Sequence, residues 1–398
     1  MQDTVERPAL TLLQRQRVRV VHVTLSHRPF DVRVFEKECR TLADAGYSVA
    51  LAVPSATEGS ISHGVVLHDI PPTANAAGDA SAAQRWFSRL KTAQDTARRL
   101  DGHIYHLHDP ELIPVGLVLK LRGASIIYDA HEDAPMEAWS LNRTRPSRRL
   151  VLPALWWSLL ALAKRRFDLF VAATPEIARR FPAARTVLVR NYPRLDMFAG
   201  RVTATDATVQ PTRTLVFPGL VNEPRGALVM LEALAATQRH ADLRLRLYGE
   251  IVPAELELRM RAHAAWQRVD FVGFRPWREV LDAYALCLAG LLLYAPTPEQ
   301  RHAMPVKLFE FLLSGIPVIA TDMPWWRELA DGNPAVIFVD ITKPAEVAAA
   351  IERLADDPAS ARRLGVAGAA HARARFDWDK EGARLVAAYD ALATPARP

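Results

Sequence analysis

Short runs of β-branched and aliphatic residues alternate with helix-like segments along the whole chain, and that order leaves few folds open. RVRVVHV (17–23), YSVALAV (47–53), VVLHDI (65–70), HIYHLH (103–108), ASIIYDA (124–130), DLFVAA (168–173) and TVLVR (186–190) are too short for helices, and most are nearly apolar throughout, as expected of strands buried on both faces. Between the first two lies DVRVFEKECRTLADAG, where Val32, Phe35, Cys39 and Leu42 form one helical stripe that stops at Gly46. Strand, helix and strand in succession close a parallel pair through a crossover, so the chain is expected to build parallel sheets.

AGRVTATDATVQPTR (199–213) is polar, lacks a long apolar face and reads as a linker. The pattern then restarts with TLVFPG (214–219), LRLRLYG (243–249), RVDFVGF (268–274) and LAGLLLY (288–294). The expected architecture is α/β, with doubly wound domains over 17–198 and 214–375 and a terminal helix and tail over 376–398. Such sheets bind ligands at the carboxyl ends of their strands, and two of them predict a cleft. PPTANAAGDASAA (71–83) reads as a loop.

At 398 residues, more than one core is expected. Lys plus Arg exceeds Asp plus Glu by 50 − 44 = 6, an excess that suits a polyanionic small ligand or an acidic membrane surface. The aromatic and basic interleaving of a nucleic-acid module is missing, so nucleic acid is not an expected partner. Cys39 and Cys287 have no metal-ligand spacing and read as buried free thiols of a reducing compartment. The first sixteen residues carry early acids and no long apolar run, which reads as a cytosolic chain. RTRPSRRLVLPALWWSLLALAKRRF (143–167) is too short in its apolar part to span a bilayer. It reads either as a core helix with solvated basic ends or as a segment that docks on anionic lipid through its Arg, Lys and Trp residues.

Neither G-x-G-x-x-G after a strand, nor G-x-x-x-x-G-K-[ST], nor H-E-x-x-H occurs, which argues against dinucleotide dehydrogenases, P-loop kinases and zincins. His106 and His108 share a strand face, and with Asp109 they suggest a metal cluster. The alternative, which we adopt, takes Asp109 as a helix cap before Pro110 and assigns no metal. In MPVKLFEFLLSGIPVIATD (304–322), Pro305 opens a helix, Gly315 and Pro317 end it, and VIA follows as a strand. Lys307 and Glu310 are three apart on that helix, either as a surface ion pair or as ligand-binding groups.

SHRPFDVRVFEKECRTLADAGYSV, IYHLHDPELIPVGL, YDAHED and MPVKLFEFLLSGIPVIATD, in this order, resemble glycosyltransferase family 4, the retaining nucleotide-sugar transferases of GT-B fold. The resemblance runs from about Val18 to the closing FDWDKEGARLVAAY. It implies two Rossmann-like domains facing across a cleft, the first for the acceptor and the second for a nucleotide diphosphate sugar. Glu310 then matches the second glutamate of E-x7-E, which accepts hydrogen bonds from the ribose hydroxyls. Arg225 in NEPRGALV matches the residue that meets the diphosphate, Lys307 assists at the same helix N-terminus, Gly219 of the PG turn is counted with the donor-binding residues, and His131 of YDAHED lies near the sugar and the scissile bond. On the acceptor side the candidates are His27, Arg28, Asp31, His108, Asp109 and Glu132. Their structural alternatives are a helix cap at Asp31 with solvated neighbours, Arg33 among them, and a second cap at Asp109. The resemblance implies no metal and no cofactor beyond the sugar nucleotide as co-substrate, with a glycan or lipid-linked acceptor.

Two positions depart from the family pattern. The first glutamate of E-x7-E is replaced by His302, and the arginine expected after the glycine of the PG turn is Leu220. These leave open a sugar-nucleotide 2-epimerase of the same architecture and a catalytically silent sugar-nucleotide-binding protein.

Overall fold

The computed structural model describes residues 9–72, 82–130, 157–199, 212–298 and 300–394. The chain divides into two compact units: Met1–Asn191 together with Trp378–Pro398, and Tyr192–Asp377. The terminal helix Trp378–Ala393 therefore belongs to the first unit, and the second is one continuous segment.

Among the described residues, the first unit has eight strands: β1 Arg19–Val23, β2 Ser48–Val53, β3 Ile61–Ser62, β4 Val65–Asp69, β5 Ile104–Leu107, β6 Ser125–Ala130, β7 Leu169–Ala172 and β8 Thr186–Leu188. Their order is β3-β4-β2-β1-β5-β6-β7-β8, parallel except for the short β3 at the edge. The central strands are apolar on both faces because helices cover both. One face packs Val21, Leu107 and Ile126 against the segments around Leu119 and Phe167. The other packs Val20, Ile104 and Ile127 against Phe35, Leu42, Trp378 and Tyr389.

The helix after β1 is not the regular one its apolar stripe suggests. Residues Val32–Cys39 form a π-helix, entered through an Asp31 cap whose carboxylate accepts from the Arg33 and Val34 amides, at 2.8 and 2.9 Å. The Glu36 amide donates to Asp31 O, an i→i+5 bond. This winding buries Arg33, read from sequence among solvated neighbours, together with Glu36, Lys37 and Glu38. Lys37 Nζ reaches the carbonyl and side-chain oxygens of Asn191 at 3.1 and 2.6 Å.

In the second unit, β9 Thr214–Pro218, β10 Arg244–Tyr248, β11 Val269–Gly273, β12 Ala289–Leu292, β13 Val318–Thr321 and β14 Val336–Val339 form a parallel sheet in the order β11-β10-β9-β12-β13-β14. Renumbered within the unit this is 3-2-1-4-5-6, the doubly wound order, whose switch point lies between the first and fourth strands. The first unit reverses direction in the same way, between β1 and β5. The opening helix of the 304–322 motif spans Val306–Leu313, and Gly315 takes φ 79° just beyond it, where a side chain would be strained. Both cysteines are free and buried, and burial pushes the Cys287 thiol up to about 12. No helix among the described residues is long and apolar enough to cross a membrane. Of the 71–83 loop, residues 73–81 lie outside the described ones, as do 143–156 of the basic segment and 200–211 of the linker.

Candidate functional site

At the switch point of the second unit, the chain leaves β9 through Gly219, whose φ of 101° only glycine adopts without strain. A β-carbon there would lie 3.0 Å from Lys307 Cε, 3.1 Å from Lys307 Nζ and 3.9 Å from an Arg225 guanidinium nitrogen. Three predicted donor residues, Gly219, Lys307 and Arg225, thus meet at one point although they are up to 88 positions apart. Asn222 fixes the approach: its side chain accepts from the Arg225 amide at 3.0 Å, capping the short turn Glu223–Arg225. Gly226 follows at φ 80°, where a β-carbon would lie 2.1 Å from Leu293 O. Arg225 lies over the Tyr294 ring at 5.8 Å, and helix Ala227–Ala236 begins two residues later. Two cations beside a bare glycine backbone and a helix N-terminus are suited to a polyphosphate.

Glu310 is not half of a surface pair. It is 5% exposed, and its carboxylate accepts from the Trp277 indole N–H at 2.7 Å and lies 3.5 Å from the Tyr284 hydroxyl. Burial, and then the neighbouring Glu310 charge, hold the Tyr284 phenol well above its ordinary range. Trp277 and Tyr284 were missed from sequence; the only signal was the aromatic at the end of FRPW, just past β11. His302 is exposed in the turn Gln300–His302, and Leu220 is 38% exposed.

In the first unit, β1 runs into Thr24–His27 and β5 into His108–Asp109, again at the switch point. Asp109 does not cap the helix that follows it. Its Oδ2 turns back to accept from the Leu25 amide at 2.6 Å and the Thr24 hydroxyl at 2.9 Å, while Oδ1 lies 3.5 Å from His27 Nδ1. The reason is position: at the start of a crossover, the loop after β1 offers nearer donors than the short 3-10 turn. Burial alone would raise the Asp109 carboxyl, but His27, the Leu25 amide and Thr24 bring it down to about 2. Burial opposes the charged form of His27 too, yet Asp109 and the charge of Asp31 raise it on balance. Arg28 is exposed. His108 is wholly buried, its Nδ1 3.2 Å from Asp129 Oδ2. Arg33 is neither solvated nor at an open face: it forms a bidentate pair with Asp129 at 2.8 and 2.7 Å. His131 and Glu132 follow β6 in sequence but lie outside the described residues.

Two doubly wound parallel sheets in succession define the GT-B class, and solved structures of that class superpose on this chain. A sucrose-phosphate synthase from Thermosynechococcus elongatus matches with a TM-score of 0.72 at 17% identity, over 94% of this chain and 99% of that one. Anabaena Alr3699/HepE in complex with UDP and glucose matches with a TM-score of 0.68 at 15% identity, over 94% and 99%. Residues 212–357 match the family model described as Glycosyl transferases group 1. The phosphatidyl-myo-inositol mannosyltransferase of Mycobacterium leprae is 26% identical over 185 residues, 46% of this chain and 47% of that protein. A D-inositol 3-phosphate glycosyltransferase of Streptomyces bingchenggensis is 32% identical over 123 residues, 30% and 26% of the two chains. The alignments thus span about half, or less, of these curated relatives.

Proposed function

We propose that the chain is a retaining glycosyltransferase of family 4, moving a hexose or similar sugar from a nucleotide diphosphate sugar to a glycan or lipid-linked hydroxyl. The observation that carries this reading is the meeting of Lys307 and Arg225 over Gly219, with a buried carboxylate on the same helix as Lys307. The relatives named as mannosyl- and glycosyltransferases, and the neighbour solved with UDP and glucose, support the choice of ligand.

In this mechanism Glu310, oriented by Trp277, accepts from the ribose hydroxyls. Arg225 and Lys307 bind the diphosphate and stabilise the charge that grows on it as the anomeric C–O bond breaks. The acceptor oxygen bonds to the anomeric carbon from the same face, and its proton passes to the departing phosphate. His131 is assigned to the sugar, and His27 with Asp109 to the acceptor side. Cationic side chains take the place of a divalent ion at the diphosphate, so added Mn²⁺ or Mg²⁺ should leave the rate unchanged. Docking of 143–167 on anionic lipid belongs to the same proposal, with Trp157 49% exposed at the start of its described part. Vesicle co-sedimentation indifferent to anionic lipid and salt would remove it.

A thermal-shift screen of UDP-, GDP- and ADP-sugars identifies the base, because a ligand at a hundred times its Kd stabilises by about 2.7 kcal/mol. Kinetics of two variants then test the assignment. Glu310→Gln should act mainly on donor KM, since the ribose is remote from the breaking bond, and Arg225→Ala should lower kcat as well. Each loss is expected at about 1.5 to 4 kcal/mol, roughly ten- to a thousand-fold. A folded Glu310→Gln protein with unchanged donor constants overturns the reading. Isomerisation of the donor without transfer would make it the epimerase, and binding without turnover the silent form.

A further inference from the structure

The first unit buries a second constellation that the transfer reading does not use. His22 on β1 stands directly opposite His106 on β5, and His108 follows two residues later on the same face. The π-helix lays Glu38 over them. All four side chains are buried, and one candidate ligand atom from each lies within 4.8 Å of those of the others.

The hydrogen bonds divide these groups in two. His22 Nδ1 lies 2.8 Å from His108 Nε2, and His106 Nδ1 lies 2.7 Å from the Tyr389 hydroxyl. His22 Nε2, His106 Nε2 and both oxygens of Glu38 have no hydrogen-bond partner, although Glu38 Oε1 is 3.2 Å from Arg33. Buried polar atoms are normally satisfied, so four orphans from three adjacent side chains call for a ligand. They are two imidazole nitrogens and a carboxylate, a common donor set for a transition-metal dication.

We propose that His22, His106 and Glu38 bind a zinc-type divalent cation in the first unit, apart from the diphosphate site. One set of tautomers satisfies the cluster. With the His22 Nε2 lone pair on the ion, its Nδ1–H donates to His108 Nε2, and the His108 Nδ1–H donates to Asp129. Asp129 is in turn held by Arg33. His106 likewise presents Nε2 to the ion and donates Nδ1–H to Tyr389. This is the outer-shell pattern that orients metal-bound histidines.

The charges agree. Arg33 is bidentate to Asp129 and lies 3.2 Å from Glu38, so one cation faces two carboxylates. Zinc bonds of about 2.0–2.2 Å place tetrahedral ligands roughly 3.4 Å apart, so ligand atoms lying within 4.8 Å of one another would draw closer around the ion.

The test is to refold the full chain with a chelator or with Zn²⁺, desalt it, and measure bound metal and melting temperature. The expected result is one equivalent of retained zinc and a melting temperature higher by several degrees. Co²⁺ should give the ligand-field spectrum of a low-coordinate N/O site. Glu38→Gln should lose the metal; should that variant fail to fold, Tyr389→Phe, which removes only the outer-shell hydroxyl, should weaken retention about 10- to 100-fold. Equal melting temperatures with no Zn²⁺ or Co²⁺ retained would overturn the site in favour of buried water. Metal retained undiminished in both variants would overturn the assignment to these residues.

Discussion

The two units reverse strand order at a switch point in the same way and treat buried charge in opposite ways. The second buries two charged side chains, Arg194 and Glu310, among its described residues, and surrounds Glu310 with Trp277 and Tyr284. The first buries Arg33, Glu36, Lys37, Glu38, Asp109, Asp129, Glu381 and Asp390, as well as His22, His106 and His108. In the first these charges pair around the strand ends, Arg33 with Asp129 and Asp109 with the loop after β1, whereas in the second Glu310 is set among aromatic side chains. The contrast teaches that the fold dictates where a site lies and leaves its electrostatics to a few residues at strand ends.

Breaking the first unit's network should have the largest effect. Asp129→Ala leaves Arg33 buried beside Glu38 alone and should cost about 3–5 kcal/mol in denaturant unfolding. A loss below 1 kcal/mol would mean that water already screens the pair. In the second unit, Trp277→Phe removes the donor to Glu310 with little change of shape, and a weakening of donor binding by about 1.5–3 kcal/mol is expected in calorimetry. Unchanged affinity would reduce the indole to packing.

The pH dependence sharpens the comparison at a smaller scale. Asp109 is depressed to about 2 from an ordinary value near 3.9, so its contribution, on the order of 2 kcal/mol, is present above that value and lost as pH falls toward 2. His27 is raised, so its contribution is full below about 6.5 and is lost as pH rises through the higher folded value. Stability of Asp109→Asn against the parent, measured across pH, should converge at the acid end; parallel curves would remove the linkage.

Much of this architecture was legible. Strands such as SVALAV and SIIYDA announce themselves because burial on both faces demands near-continuous apolar residues. Gly219, Arg225 and Lys307 were legible through motif resemblance, and the structure brings them together. What escaped depends on partners distant in sequence. The regular stripe of Val32, Phe35, Cys39 and Leu42 leaves Arg33, Glu36, Lys37 and Glu38 outside it, yet an i→i+5 winding buries all four, and Asp129, 96 residues away, pairs with Arg33. Asp109 looked like a cap because its local sequence fits one, and a backbone amide 84 residues earlier claims it instead. Trp277 had no pattern to mark it as the partner of Glu310, 33 positions on.

The return of Trp378–Ala393 to the first unit also sets an order of events during synthesis. Trp378 donates to Thr41 at 2.8 Å, Tyr389 meets His106, and Asp390 takes hydrogen bonds from Arg15 and Tyr47 at 2.6 Å each. None of these bonds can form until the whole of Tyr192–Asp377 has left the ribosome, roughly 10 to 40 s after Asn191 at about 5–20 residues per second. The unit begun first is completed last, while the later one, continuous in sequence, has all its strands in hand when Asp377 emerges. Through that interval Phe35, Leu42 and the histidines of β1 and β5 lack part of their cover, and that is when the nascent chain is most open to misassociation or to a chaperone.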